Sequence, residues 1–178
     1  MDGIAVLKEG FSRIPDLVRE AVADLDADQL ATMPPGVGGD AVPDGVGNSV
    51  GWLVWHLTRV QDAQVAQVAG TDQLWVTEGW AERFGMAPDP ADHGYGHTPA
   101  QVAAVRPASG ELLVEHLDAV HARTLDHLAT LSDDDLDRIV DPRWDPPVTL
   151  GVRLVSVIDD DVQHAGQAAY VRGLLLAR

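Results

Sequence analysis

The chain contains no cysteine. This absence excludes disulfides, cysteine-ligated zinc sites and a cysteine nucleophile, so a thiol in any reaction must arrive with a cofactor or a substrate. Basic residues are also scarce, since Lys and Arg number 12 against 28 Asp and Glu, which gives a formal net charge of -16. Such an acidic chain repels phosphate backbones and anionic lipids. We therefore expect no nucleic-acid partner and no role at a membrane surface.

Long hydrophobic runs are absent as well. No stretch reaches the ~18 apolar residues that a membrane-spanning helix needs. The N-terminal sequence MDGIAVLKEG lacks the basic start and apolar run of a signal peptide, so we expect a cytoplasmic protein. The length of 178 residues predicts a single domain over residues 1–178.

Apolar residues follow a helical period along most of the chain, and no useful stretch alternates with the period of a strand. Residues 4–31 predict an amphipathic helix, which Pro15 kinks or restarts because proline removes a backbone donor. Asp26 or Asp28 is expected to begin a short extra turn through Leu30. Residues 33–47 are rich in glycine and proline and predict a loop. A second helix is predicted over residues 50–69, with capping oxygens before it and Gly70 as its stop.

The second half of the chain predicts two more long helices. One begins near Pro107 to Ser109 and runs to Leu131, and the other runs from Leu150 almost to Arg178. Four long helices with long connections predict an all-α four-helix bundle. The shorter predicted elements are a helix near 78–84, a helix at about 99–105, an acidic turn at 133–136 and a proline-rich turn at 141–147.

Seven histidines are candidates for chemistry, although a histidine on a helix face is usually a hydrogen-bonded boundary residue. The polar settings of His121 and His127 indicate solvated side chains, and His116 lies nearer the apolar stripe, at the edge of the core. His93 and His97 lie in the loop sequence DHGYGH, where a spacing of four has no fixed geometry. We do not expect them to form a second metal site.

His56 and His164 have more informative settings. His56 lies in the most apolar part of the second helix, and Asp160 precedes His164 by four residues on the last helix. Residues at this spacing share one helix face. Two ligands from one helix and one from a facing helix form metal sites in bundles. Asp161 competes with Asp160 for the acidic position, and an ordinary surface pair between Asp160 and His164 is the simpler alternative.

Two imidazoles and one carboxylate leave coordination positions open for an incoming ligand. This donor set suits zinc or nickel, with iron or manganese as further options. Arg153 lies two helical turns before Asp160 on a similar face, where it could bind a carboxylate of a cofactor or substrate or form a surface ion pair. Gln167 and Arg59 are further candidate contacts to a cofactor or substrate.

Three other residues near these positions predict structural roles. Trp52 and Trp55 flank His56 and indicate packing at the core and its rim more than a stacking platform for a ligand. Gly166 predicts a close approach of the last helix to a neighbouring element.

The segments NSVGWLVWHLTRVQD and VIDDDVQHAGQAAYVRG resemble the DinB-like superfamily. That resemblance implies one metal-binding four-helix-bundle domain, often dimeric, in a family that includes bacillithiol transferases and the mycothiol-dependent maleylpyruvate isomerases and S-transferases of actinobacteria. His56 and His164 match two positions of the family's ligand pattern. Asp160 stands where many members have histidine, as an acid does in the actinobacterial branch, and this departure bears on metal identity and affinity.

The resemblance further implies a mycothiol-type thiol as co-substrate. The metal would activate this thiol as a thiolate for an S-transferase or isomerase reaction. The implied assembly is a homodimer. A non-catalytic metal-binding protein of a stress response is the first alternative. A structural dimerising bundle without metal is the second. A family resemblance does not by itself carry the activity to this chain.

Overall fold

The structure is a computed structural model and describes residues 1–34 and 47–177; the predicted loop at 33–47 therefore lies almost wholly outside the described residues. The long helices are α1 (Gly3–Ser12) continued by α2 (Ile14–Val22), then α4 (Val50–Ala69), α8 (Gly110–Ala129) and α9 (Leu150–Leu176). The shorter elements are α3 (Ala27–Ala31), α5 (Leu74–Thr77), α6 (Trp80–Arg83), α7 (Pro99–Ala104), a 3-10 turn (Asp133–Asp137), β1 (Ile139–Asp141) and β2 (Val148–Thr149).

These helices form the expected all-α bundle. α4 packs against α8 and α9, and α2 packs against the same two helices from the other side. The core is therefore enclosed by α1–α2, α4, α8 and α9, with two apolar clusters along its length. None of the described helices is long and apolar enough to cross a membrane.

The structure divides the predicted helical region 4–31 into α1, α2 and α3. The first break is at Arg13, whose backbone N–H bonds to Gly10 and Phe11 carbonyls while a new helix starts at Ile14 with Pro15 in its first turn. Asp26 then starts α3 through a capping box. Pro15 predicted the first interruption, and the capping side chain of Asp26 indicated the second.

The bounds of α4 and the start of α9 agree with the prediction. The Ser49 side chain accepts a hydrogen bond from Trp52 N, and Gly70 ends α4 with a φ of 69°. Thr149 caps α9, which continues for 27 residues. The predicted turn at 141–147 lies inside a short antiparallel hairpin of β1 and β2, which the sequence analysis missed because such short strands show no alternation.

Gly166 does not bring α9 close to another element of the chain. No atom lies within 4 Å of the position that a Cβ would occupy there. The prediction of a close approach is therefore wrong within the described part of the chain.

His116 lies inside the core and not at its edge, with no exposed surface. Its ring packs against Trp75, Trp80 and Phe84 at centroid distances of 5.5, 4.9 and 5.5 Å. Burial lowers the pKa of His116 to about 3, and the Arg59 and Arg83 guanidiniums act in the same direction. The imidazole therefore stays neutral in the folded protein.

His116 makes a specific prediction about acid stability. The unfolded chain takes up a proton there below pH 6.5, whereas the folded chain does so only near pH 3, so stability falls as the pH drops from 6.5. As the pH falls from about 7 to about 5, this group lowers the free energy of unfolding by about 2 kcal/mol. Urea unfolding should show that wild type loses about this much more stability than His116→Leu. Equal losses in the two proteins would contradict it.

Candidate metal centre

Packing of α4 against α9 brings His56, Asp160 and His164 to one point between the two helices. One ligand atom from each of the three lies within 4.8 Å of the others. The two imidazole rings meet edge to face with centroids 4.7 Å apart. His164 Nε2 and Asp160 Oδ1 are 3.6 Å apart. A small contraction of these side chains would place all three donors around one cation.

Hydrogen bonds fix the ring nitrogen that each histidine offers. His56 Nδ1 donates to the carbonyl oxygen of His93, and His164 Nδ1 donates to Gln167 Oε1 at 2.9 Å. These assignments follow from the acceptors, because a carbonyl oxygen cannot donate. Both Nε2 atoms therefore keep a free lone pair, which is the arrangement of a metal-ligating histidine with a second hydrogen-bonding partner.

The carboxylate of Asp160 completes the donor set. Its Oδ2 is buried and has no hydrogen-bond partner among the described residues. A buried carboxylate oxygen without a partner is costly, and a bound cation would satisfy it. The residues therefore fit a divalent metal.

The pKa values of the two histidines shift in opposite directions. Burial lowers the pKa of His56, whereas interaction with the Asp160 carboxylate raises the pKa of His164. His56 is therefore ready to coordinate at neutral pH, and a proton on His164 competes with a metal for the same nitrogen.

Asp161, the alternative acidic ligand, lies elsewhere. It is fully buried, and neither carboxylate oxygen has a hydrogen-bond partner among the described residues. Burial raises the pKa of Asp161 well above its usual range, and the neighbouring Asp160 acts in the same direction. The group that converges on His56 and His164 contains Asp160 and not Asp161.

The loop before α7 supports His56 from the side opposite α9. Trp52 stacks on the His56 ring at 4.6 Å between centroids, and its Nε1 donates to His97 Nδ1 at 3.1 Å. His97 Nε2 in turn bonds to Asp92 at 2.8 Å. Trp52 is thus more than packing, because it connects the His56 ring to the loop. Sequence reasoning missed these partners, which lie about 40 positions away in the chain.

Glycine is required where this loop passes His56. Gly94 has a φ of +93°, and a Cβ there would lie 2.7 Å from His56 Nδ1. The glycine spacing of DHGYGH was the only sequence signal of this contact.

The three predicted cofactor contacts have different settings. Arg59 has a fully buried side chain and donates to Gln73, to Asp62 and to the carbonyl of Asp92. Burial lowers its pKa to about 10. Arg59 therefore holds the loop to α4 and is out of reach of a ligand. Gln167 positions His164, as described above.

Arg153 differs from the other two because it faces a cavity beside the centre. It lines a cavity that also reaches Asp160. No other histidine of the described residues joins the three candidate ligands. His121 and His127 are half-buried and not solvated as predicted, and burial lowers the pKa of each.

The chain has relatives in sequence and in structure. The model of the DinB superfamily matches residues 11–168. The chain belongs to the DinB superfamily. A structure described as the "Crystal structure of the conserved protein of locus from Enterococcus faecalis" is 34% identical, with a TM-score of 0.86, and the match covers 100% of this chain and 99% of that one. No curated protein matches the chain at a significant level.

Membership of the DinB superfamily agrees with the candidate site. The superfamily includes metal-dependent thiol enzymes, and the three converging ligands of this chain lie within the matched residues 11–168. Neither the family model nor the similar structure specifies a thiol or a substrate.

Gly94→Ala should weaken metal binding, because the added methyl group would push the loop away from His56 and remove its hydrogen bond. Loss of such an outer partner typically costs about 10–100-fold in affinity. Competition with a zinc indicator measures this. Gly96→Ala is the matched control, since φ is +75° there but nothing lies within 4 Å of the added Cβ. Equal affinities for the two variants would contradict the role of Gly94.

Proposed function

We propose that this DinB-superfamily protein is a metal-dependent transferase for a low-molecular-weight thiol of the mycothiol type. The observation that supports this is the three-ligand site itself, in which two imidazole Nε2 atoms and one carboxylate converge and no further His, Asp or Glu of the described residues joins them. Such a site leaves positions open for an external ligand, as catalytic sites do.

A divalent metal held there would favour the thiolate form of a bound thiol and so supply a nucleophile at neutral pH. The chain contributes orientation and charge. His93 and Gln167 hold the two rings with Nε2 facing inward, and Asp160 adds one negative charge to the ligand set. Absence of cysteine from the chain agrees with an external thiol. Zinc or nickel suits the donors, and iron or manganese remains an option.

The proposed reaction can be followed with mycothiol and monochlorobimane. A carbon–sulfur bond forms, the carbon–chlorine bond breaks, chloride leaves and the thiol proton passes to solvent. We expect metal-dependent turnover that His56→Ala reduces by at least ~10-fold, because one ligand is lost. His121→Ala, on α8 and outside the site, is the control. Elemental analysis of the untagged protein reports metal content in parallel.

The outcomes separate the proposal from its alternative. Metal bound in stoichiometric amount, with no thiol binding and no turnover above His56→Ala, would favour the non-catalytic metal-binding protein. Absence of metal from the active wild-type preparation would contradict both.

We also propose that the protein forms a homodimer through α9. The outer face of this helix exposes Val152, Val155, Val162 and Tyr170 by 54%, 58%, 44% and 62%. Apolar residues at spacings of three, seven and eight form one stripe along the helix, and a helix can pair with its own copy around a two-fold axis.

Val155→Glu should therefore convert the dimer to a monomer in sedimentation velocity, because it buries a charge at the contact. Val76→Glu is the matched control, since Val76 is 40% exposed on α5, away from this face. A wild-type protein that is monomeric at micromolar concentration would contradict the proposal.

A further inference from the structure

A cavity of about 300 Å³ lies beside the metal centre, between α4, α9 and the β1–β2 hairpin. Asp160 lines one end of it and Arg153 lines another part of its wall. Arg153 precedes Asp160 by seven residues, which is a rise of roughly 10 Å along a helix. The cavity thus extends away from the centre by about the length of a small organic molecule.

Arg153 can present positive charge to this cavity. Its side chain is 15% exposed, Nη1 donates to Gln64 and Gln67, and Nη2 lies 3.5 Å from Asp141 Oδ2. Nε donates no hydrogen bond to any residue of the ranges 1–34 and 47–177. An anionic group in the cavity would therefore find a donor that the protein leaves available.

Asp141 does not neutralise Arg153. The Asp141 carboxylate is held by Arg143, whose Nε and Nη2 donate to it at 2.9 and 2.8 Å. This interaction holds the pKa of Asp141 well below its usual range. Because Arg143 already supplies the short hydrogen bonds to that carboxylate, the longer contact leaves much of the charge of Arg153 to the cavity.

The rest of the wall is mostly apolar, with Gln64 and Ser156 as its polar members. Val60 of α4, Val148 of β2 and Val157 of α9 line the cavity, and Trp144 borders it from the hairpin with 65% of its surface exposed. An exposed indole at the edge of a cavity offers an apolar surface to a bound molecule. A wall that combines apolar side chains with a few fixed polar and charged groups is typical of small-molecule sites.

We propose that this cavity binds a substrate that carries a carboxylate on an apolar body, with the carboxylate at Arg153 and the sulfur-bearing or electrophilic end at the metal centre. The inference rests on the proposed function, since that function puts the reactive end of the ligand beside Asp160. It adds a chemical class of substrate and a residue that selects it. Trp144 contributes contact with the apolar body and no charge selectivity.

Synthetic thiols test the subsite directly. The probes are 8-mercaptooctanoate, 8-mercaptooctan-1-ol and the short 3-mercaptopropionate, titrated into cobalt-loaded full-length protein. Calorimetry gives the dissociation constants, and cobalt absorption reports sulfur coordination independently. We expect the long carboxylate to bind about tenfold more tightly than the long alcohol, as for a charge-assisted hydrogen bond. The short carboxylate cannot span the distance and should bind no more tightly than the alcohol.

Variants identify the residue responsible. Arg153→Gln should remove the preference for the long carboxylate and leave affinity for the alcohol within twofold of wild type (about the error of such titrations). Arg13→Gln makes the same change in net charge at an exposed position between α1 and α2 and should keep the preference. Trp144→Ala should weaken binding of the long carboxylate and of the long alcohol to the same extent. Because Arg153 also bonds to Gln64, Arg153→Lys serves as a second variant that retains charge and should retain part of the preference.

Each outcome decides something. No carboxylate preference in wild type, or a preference that survives Arg153→Gln, overturns the subsite. If a cobalt–sulfur band appears but the carboxylate preference does not, the subsite is refuted and the proposed function still stands. A carboxylate preference abolished by Arg153→Gln but without any cobalt–sulfur band supports the subsite and counts against the proposed thiol chemistry.

Discussion

Contact between α4 and α9 is the interaction on which the candidate centre depends, because neither helix supplies three ligands alone. One contributes His56, and the other contributes Asp160 and His164 one turn apart. A slip of one residue in the register of either helix would rotate its side chains by about 100° and separate the donors. The apolar packing of the bundle thus sets the geometry of the candidate centre.

The loop between α4 and α8 is the second support, and it is tied to the bundle by buried charge. Arg59 crosses from α4 to the loop, and Asp62 accepts from the backbone N–H groups of Leu74 and Trp75 and from Arg123. Burying these ions is costly unless every group is bonded. Here the bonds are made, and the result is a loop held against the outer face of His56.

Sequence reasoning was most successful where the signals are local. Cap and stop residues predicted α4 to the residue, and a spacing of four put Asp160 and His164 on one face. Pro15 likewise predicted the restart of the first helix, whereas the two short strands were missed because their signals are weaker than the periodicity around them. The partners of His56 could not be predicted, because a hydrogen bond between a helix and a distant loop leaves no periodic pattern in the chain.

The acceptor that orients His56 is a main-chain oxygen, and every amino acid offers one. The side chain at position 93 can therefore vary with little effect on the ring, provided that the chain follows the same course past it. Position 94 has no such freedom, since the course itself needs glycine. The orientation of this candidate metal ligand is thus encoded by the shape of a neighbouring backbone, and the residue that supplies the contact carries almost none of the information.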